Sequence, residues 1–150
     1  MKEDEAYVIR ENSSNVRKDW SRFVDDVIHK VPKFVKRNER DVFMSINLND
    51  LSVLMDGIRY NVNLEYDAES NEYIGTMEGF WFVESARTRD EVIQKLAERL
   101  QEFSVDYYKE LEVYHNTADF KIQFPKVLKA IIAEDLKGIV DSFDVKYKGP

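Results

Sequence analysis

After the polar stretch Ser13-Ser14-Asn15, apolar side chains fall at Val16, Trp20, Phe23, Val24, Val27 and Ile28. Steps of three and four place them on one side of a single helix. The serines and the asparagine offer side-chain oxygens to its first amides. Val31-Pro32 ends the helix, because a proline ring crowds the helical conformation of the residue before it. Ahead of it, residues 6–10 (Ala-Tyr-Val-Ile-Arg) form a short β-rich run. Behind it, residues 33–36 and 41–46 are two more, with Arg37-Asn38-Glu39-Arg40 as a hairpin turn. Asn47 caps a second helix carrying Leu48, Leu51, Leu54 and Met55, and Gly57 closes it. The first 57 residues therefore predict the order β-α-β-β-α.

A second unit begins at once. Tyr60, Val62, Leu64 and Tyr66 alternate with Asn61, Asn63 and Glu65, the mark of a half-buried strand. Residues 67–71 make a polar turn, residues 73–77 return as a partner strand, and residues 80–83 extend the sheet. Thr88-Arg89-Asp90-Glu91 is a capping box, in which the threonine hydroxyl and the glutamate carboxylate each satisfy a free helix-start amide. The helix behind it presents Val92, Leu96, Leu100, Phe103, Tyr107 and Leu111 on one face.

Residues 114–150 read as a C-terminal amphipathic helical tail. Pro125 suits a first helical position. Leu128, Ile131, Ile132, Leu136, Ile139, Val140 and Phe143 follow at helical spacing, and Gly138 divides them into two helices. The fold class expected is α+β. Its parts are residues 1–57, residues 58–113 as a β-β-(β)-α unit, and the tail at 114–150, with no Gly/Ser/Pro linker between them.

Composition narrows the chemistry. The 150 residues are 43% hydrophobic and 34% charged, which excludes a disordered or low-complexity chain. Cysteine is absent, which removes disulfides, thiolate metal sites and a cysteine nucleophile. His29 and His115 are the two histidines, too few for a histidine-rich metal centre. No apolar run approaches the length of a membrane span, and the acidic start Met1-Lys2-Glu3-Asp4-Glu5 lacks the apolar stretch of a signal peptide. A cytoplasmic protein is expected.

A search for catalytic groups returns none. The chain has no phosphate-binding glycine loop, nucleophile elbow or His-Glu-x-x-His. Glu65, Asp67 and Glu69 carry oxygens of the kind that hold Mg²⁺, but a strand running into a turn explains them more simply. Asp25 and Asp26 fit the polar face of the first helix, and His29 complements its C-terminal dipole. Neither a catalytic residue, a metal nor a cofactor is expected.

Charge is more informative. The net charge is −7, yet residues 10–40 hold nine basic and five acidic side chains, a local +4 that leaves −11 on the rest. Such asymmetry suits a basic end for nucleic acid and an acidic remainder for a cationic partner. Chance clustering on solvated faces accounts for it equally well. Arg10, Asn12, Ser14, Arg17 and Lys18 gather around the exit of the first strand and the start of the first helix, and Lys36 and Arg37 lie at the hairpin. Arginine and lysine neutralise phosphates, while asparagine and arginine also read base edges in pairs of hydrogen bonds.

The segments Arg17-Lys18-Asp19-Trp20-Ser21-Arg22-Phe23, Pro32-Lys33-Phe34-Val35-Lys36-Arg37-Asn38 and Asp41-Val42-Phe43-Met44-Ser45-Ile46 resemble the Phd/YefM-type antitoxins over residues 6–57. That family opens its first helix with Arg-x-Asn-Leu-Ser and ends a strand in Thr-Arg. Arg17, Ser21 and Arg37 fall on the helix arginine, the serine and the turn arginine. Asp19-Trp20 replaces Asn-Leu, and Lys36 replaces the threonine. The resemblance implies a dimeric domain whose strand exit and helix start contact operator DNA. Arg17 and Arg37 lead as contacts, with Asn12 and Ser14 behind them.

Residues 59–112 are similar to the small HicB-type antitoxin domain. The carriers are Tyr60-Asn61-Val62-Asn63-Leu64-Glu65-Tyr66-Asp67, Tyr73-Ile74-Gly75, Gly79 and Thr88-Arg89-Asp90-Glu91-Val92. The resemblance implies an inactive RNase H-like piece. Phe124-Pro125-Lys126-Val127-Leu128 resembles the end of Phd-like antitoxins paired with RelE-like toxins.

Together these resemblances imply an antitoxin of a type II toxin–antitoxin system. Its partners are a cognate RelE-like or related RNase toxin, operator DNA and a second copy of itself, with no membrane. The toxin is expected on the apolar face formed by Leu128, Ile131, Ile132, Leu136 and Ile139. Such a face completes a protein's own core more often than it meets a partner. The alternatives are a stand-alone dimeric transcriptional regulator and an interaction adaptor without DNA binding.

Overall fold

The computed structural model of the chain describes residues 9–149. Of the strand expected at residues 6–10, residues 6–8 lie outside the described residues, and strand β1 spans Arg10–Asn12. The fold is α+β, with two sheets and, among the described residues, seven helices. The chain divides between Leu54 and Met55 into two compact units.

The first unit runs β1, helix α1 (Ser13–Lys18), helix α2 (Trp20–His29), β2 (Lys33–Lys36), β3 (Val42–Ser45) and α3 (Leu48–Leu54). β1 lies parallel to β2, and β2 antiparallel to β3, so β2 is central. The helix expected as one piece is two. Asp19 breaks it with φ −138° and ψ 68°, and its side chain accepts from the Arg22 amide at 3.3 Å. A short carboxylate that bonds the backbone locally favours a cap over a helix interior. Of the predicted apolar stripe, Val16, Phe23 and Val27 enter a small core with Val35. Trp20 stays 59% exposed, stacked on Phe23 at 5.5 Å. Asn47 caps α3, accepting from the Asp50 amide at 2.8 Å.

The second unit runs β4 (Tyr60–Asp67), β5 (Glu72–Met77), β6 (Val83–Ala86), α4 (Arg89–Lys109), α5 (Leu111–Tyr114), α6 (Phe120–Ile132), α7 (Leu136–Val140) and β7 (Phe143–Lys148). Its sheet has the order β6-β5-β4-β7. Thr88 caps α4 as the capping box predicts, accepting from the Glu91 amide at 3.2 Å. The long helix covers the sheet with Val92, Leu96 and Leu100, which pack with Val62, Leu64 and Met77 in the core. Gly75 makes that contact possible. A Cβ there would collide with Val92 Cγ1 and lie 2.9 Å from Leu96 Cδ1.

Residues 114–149, expected as a helical tail, belong to this second unit. α6 and α7 pack against α4, with Val127 and Ala130 of α6 buried. β7 joins the sheet parallel to β4, pairing Tyr60 with Phe143 and Glu65 with Lys148. Phe143 therefore belongs to a strand, not to the last helix. Pro125 lies inside α6, not at its first position. The break between α6 and α7 falls at residues 133–135, and Asp135 caps α7 through the Gly138 amide at 2.9 Å. Gly138 is thus within a helix, and the capping aspartate marks the division. Among the described residues no helix is long and apolar enough to cross a membrane.

Candidate nucleic-acid interface

The β1–α1 junction is built by Asn12. It leaves the strand with an extended backbone, and its Oδ1 accepts from the Ser14 amide at 3.2 Å and from the Ser14 hydroxyl at 3.1 Å. An asparagine in this position satisfies one of the amides a helix start leaves open. Asn12 and Ser14, both predicted as base or phosphate contacts, thus hold each other. Arg17 and Lys18 follow in the last turn of α1, both exposed and, among the described residues, without an ion pair.

Beside this junction lies a concavity of about 440 Å³. Arg10, Asn12 and Lys36 line it, joined by Asn15, Arg22 and Lys33, which were not among the expected DNA contacts. Charge within it is partly compensated. Lys33 Nζ meets Glu11 Oε1 at 3.0 Å and Asp26 Oδ2 at 3.8 Å, and Lys30 meets Asp26 Oδ1 at 2.9 Å. The hydrogen bond from Lys30 leads the forces that lower the Asp26 carboxyl below its usual range, so it stays ionised.

The two hairpin cations are placed differently from those of α1. Arg37 Nη2 donates to Asp41 Oδ2 at 2.6 Å, and Lys36 Nζ lies 3.6 Å from Glu39 Oε1. Asn38 shapes the turn, accepting from the amides of Arg40 and Asp41, each at 2.9 Å. Arg37 and Lys36 are therefore tethered within their own hairpin, while Arg17 and Lys18 are not. Arg22 was legible as a basic residue five positions after Arg17; the break at Asp19 changes its bearing relative to Arg17.

The residues expected at a toxin interface are split. Leu128, Ile131 and Ile132 are half-buried on α6, and Leu136 packs against the core from α7. Ile139 is 1% exposed and belongs to the core, so no partner reaches it in this fold. Ile131 and Leu136 line two concavities of about 420 and 620 Å³ that share Gln101 of α4. Of Glu65, Asp67 and Glu69, Asp67 has a local role: its carboxylate accepts from the Glu69 amide at 3.2 Å and the Ser70 hydroxyl at 2.8 Å. This turn lowers the Asp67 carboxyl, chiefly through the Ser70 bond.

No curated protein matches the chain. A crystal structure from Syntrophomonas wolfei subsp. wolfei superimposes with a TM-score of 0.87 at 28% identity. The match covers 93% of this chain and 99% of that one, which is described as the antitoxin part of a proposed toxin/antitoxin system. Residues 8–144 match the family model described as PHD-like, antitoxin of toxin–antitoxin, RelE/RelB, TA system. That match spans most of the sequence, and the chain belongs to this family of RelE/RelB toxin–antitoxin system antitoxins.

Proposed function

We propose that this chain neutralises a small basic RNase toxin of the RelE-like kind by direct binding, and represses its own operon by binding operator DNA as a homodimer. The first unit would then be a Phd/YefM-like DNA-binding half and the second a HicB-like half. The observation that carries the reading, in a member of this family, is the division of charge. Residues 55–150 hold nineteen acidic and twelve basic side chains, a net −7, whereas residues 1–54 hold ten of each. The entire excess of negative charge lies on the second unit. Opposite charge steers a cationic partner to that unit and does not oppose phosphate at the first.

DNA contact is assigned to Arg10, Asn12, Ser14, Arg17, Lys18, Lys36 and Arg37. Arg17 and Lys18 lead, because no carboxylate among the described residues holds them. Dimerisation is assigned to the apolar side chains the first unit leaves exposed, among them Trp20, Ile28, Phe43, Met44, Leu48 and Leu54. Toxin contact is assigned to the groove beside α4, with Ile131 and Leu136 as apolar anchors and Leu128 and Ile132 beside them. Glu102, Asp106 and Asp135 on its rim supply the charge. The mechanism is occlusion and recruitment in the cytoplasm, without catalysis.

The test is growth. The adjacent open reading frame is expressed alone and then with this chain, and growth and co-purification are followed. Arrest that this chain relieves, with the two proteins co-purifying, supports the reading. A harmless neighbour that does not bind overturns it in favour of a stand-alone regulator. Binding of the neighbour with no salt-dependent DNA affinity leaves an adaptor.

A further inference from the structure

At one corner of the second unit, six residues from distant parts of its sequence meet around a cavity of about 380 Å³. They are Tyr66 at the end of β4, Asn71 in the turn, Tyr73 on β5, Arg87 before the α4 cap, Arg89 at the first position of α4 and Tyr147 on β7. We propose that this cavity binds a nucleotide unit, its phosphate on Arg87 and Arg89 and its base against the tyrosine rings. The assignment does not depend on toxin or operator binding.

The first support is electrostatic. Arg87 and Arg89 form no ion pair among the described residues, although their unit has seven more acidic than basic side chains. Two arginines line one cavity whose lining holds no carboxylate, so a bound anion would supply the counter-charge there.

The second support is geometric. The Arg89 guanidinium carbon lies 3.5 Å from the Tyr147 ring centroid and 5.5 Å from that of Tyr73. Stacking on aromatic rings engages the flat face of a guanidinium, and hydrogen bonding with Tyr147 and then Tyr73 raises the Arg89 pKa and holds the group in place. Tyr66 and Tyr73 stand 5.2 Å apart, tilted at 59°. The Tyr66 hydroxyl donates to Asn71 Oδ1, and Asn71 holds a left-handed backbone with φ 58°. One wall of the cavity is thus fixed before any ligand arrives.

Size and wall chemistry select the ligand. Pockets for small organic molecules range over roughly 300–1,000 Å³, and this cavity falls near the lower end. An inorganic anion engages only the arginines, and a neutral ring only the tyrosines. A nucleoside phosphate uses both, and every base offers a face for stacking. The chemistry is shared by a free nucleotide and by one nucleotide of a single strand. The net −7 of the second unit opposes a long polyanion, which favours the free nucleotide.

The experiment is a calorimetric titration of the full chain with AMP, adenosine, inorganic phosphate and a ten-nucleotide single-stranded oligo-dA. Saturable AMP binding is expected, with adenosine and phosphate each weaker by at least about tenfold. Arg87→Ala and Arg89→Ala each lower AMP affinity by about tenfold or more, with circular dichroism and the melting midpoint verifying the fold. Arg87→Ala carries the test if Arg89→Ala disturbs the Tyr147 stack. Oligo-dA binding tighter than AMP and lost in both variants supports the same site and assigns its ligand to a single strand. No heat with either AMP or oligo-dA overturns the proposal. Binding that both variants leave unchanged overturns it equally.

Discussion

The Arg37 guanidinium is held by the Asp41 carboxylate, Nη2 to Oδ2 at 2.6 Å, across the turn between β2 and β3. Asn38 donates to the same oxygen at 2.9 Å. An exposed pair of this kind contributes little to stability. Its consequence is functional: an arginine already bonded to a carboxylate must give up that partner before it can take a phosphate. The resemblance to Phd/YefM antitoxins ranks Arg37 beside Arg17, and the geometry ranks it below.

Arg17→Ala is expected to weaken operator binding and lower the slope of log affinity against log salt by about 0.9, the value for one phosphate no longer neutralised on duplex DNA. Arg37→Ala should reduce affinity less. Asp41→Asn frees Arg37 and should tighten binding. Titrations of the operator fragment at several salt concentrations measure all three. Equal losses for Arg17→Ala and Arg37→Ala would show that the hairpin pair opens on DNA at no cost.

Much of this fold was legible where one local signal dominated. Thr88 and Glu91 announced the start of α4, and the alternation from Tyr60 to Tyr66 announced β4. The misreadings arose where two periods overlap. Phe143, Val145 and Tyr147 alternate with Asp144, Lys146 and Lys148, a strand pattern, yet Phe143 also continues the helical spacing of Ile139 and Val140. Pairing with β4, far away in sequence, decides between them. Asp19 was visible as a departure from the antitoxin motif, but its role as a cap depends on the backbone turning there. For the candidate sites, residue types were legible and pairing was not. Nothing local shows that Asp41 holds Arg37, or that Tyr66, Arg89 and Tyr147 meet.

Gly75→Ala should destabilise the second unit by about 1–3 kcal/mol, the usual cost of overpacking a core. The added methyl meets Val92 and Leu96 of α4 and lies 3.1 Å from Leu64 Cδ2. Pairing it with Val92→Ala makes room and should recover part of the loss. Urea denaturation of the single and double variants reads the coupling; simple additivity would remove Val92 as the obstacle.

Ser104→Ala should leave stability unchanged or raise it by about 1 kcal/mol. The Ser104 hydroxyl is fully buried on α4 without a hydrogen-bond partner among the described residues. Tyr107→Phe removes a second such hydroxyl and keeps the ring stacked on Tyr114 at 4.2 Å. A buried polar atom without a partner carries its desolvation cost with no return. Thermal unfolding of both variants is the measurement, and a clear drop in midpoint for both would reveal bonds to ordered water.

The Arg59–Asp144 pair makes a prediction about acid. Arg59 Nη2 donates to Asp144 Oδ1 at 2.8 Å, and Arg59 Nε lies 3.3 Å from both carboxylate oxygens, linking the approach to β4 with β7. The hydrogen bond from Arg59 is the main force lowering the Asp144 carboxyl below its ordinary 3.8. Above 3.8 the carboxylate is ionised in both states, and the pair's stabilisation is fully present. As pH falls below 3.8 the unfolded chain takes up the proton first, so stability declines until the folded state is protonated too. Asp144→Asn should lower the denaturant midpoint slightly at pH 7 and flatten its decline between pH 4 and pH 2. Arg59→Ala should do the same, because the lowered value depends on the arginine. If the acid limb keeps its slope in both variants, this pair is not what acid titrates. Asp26 and Asp67, both lowered by hydrogen bonds, are then the next carboxylates to replace.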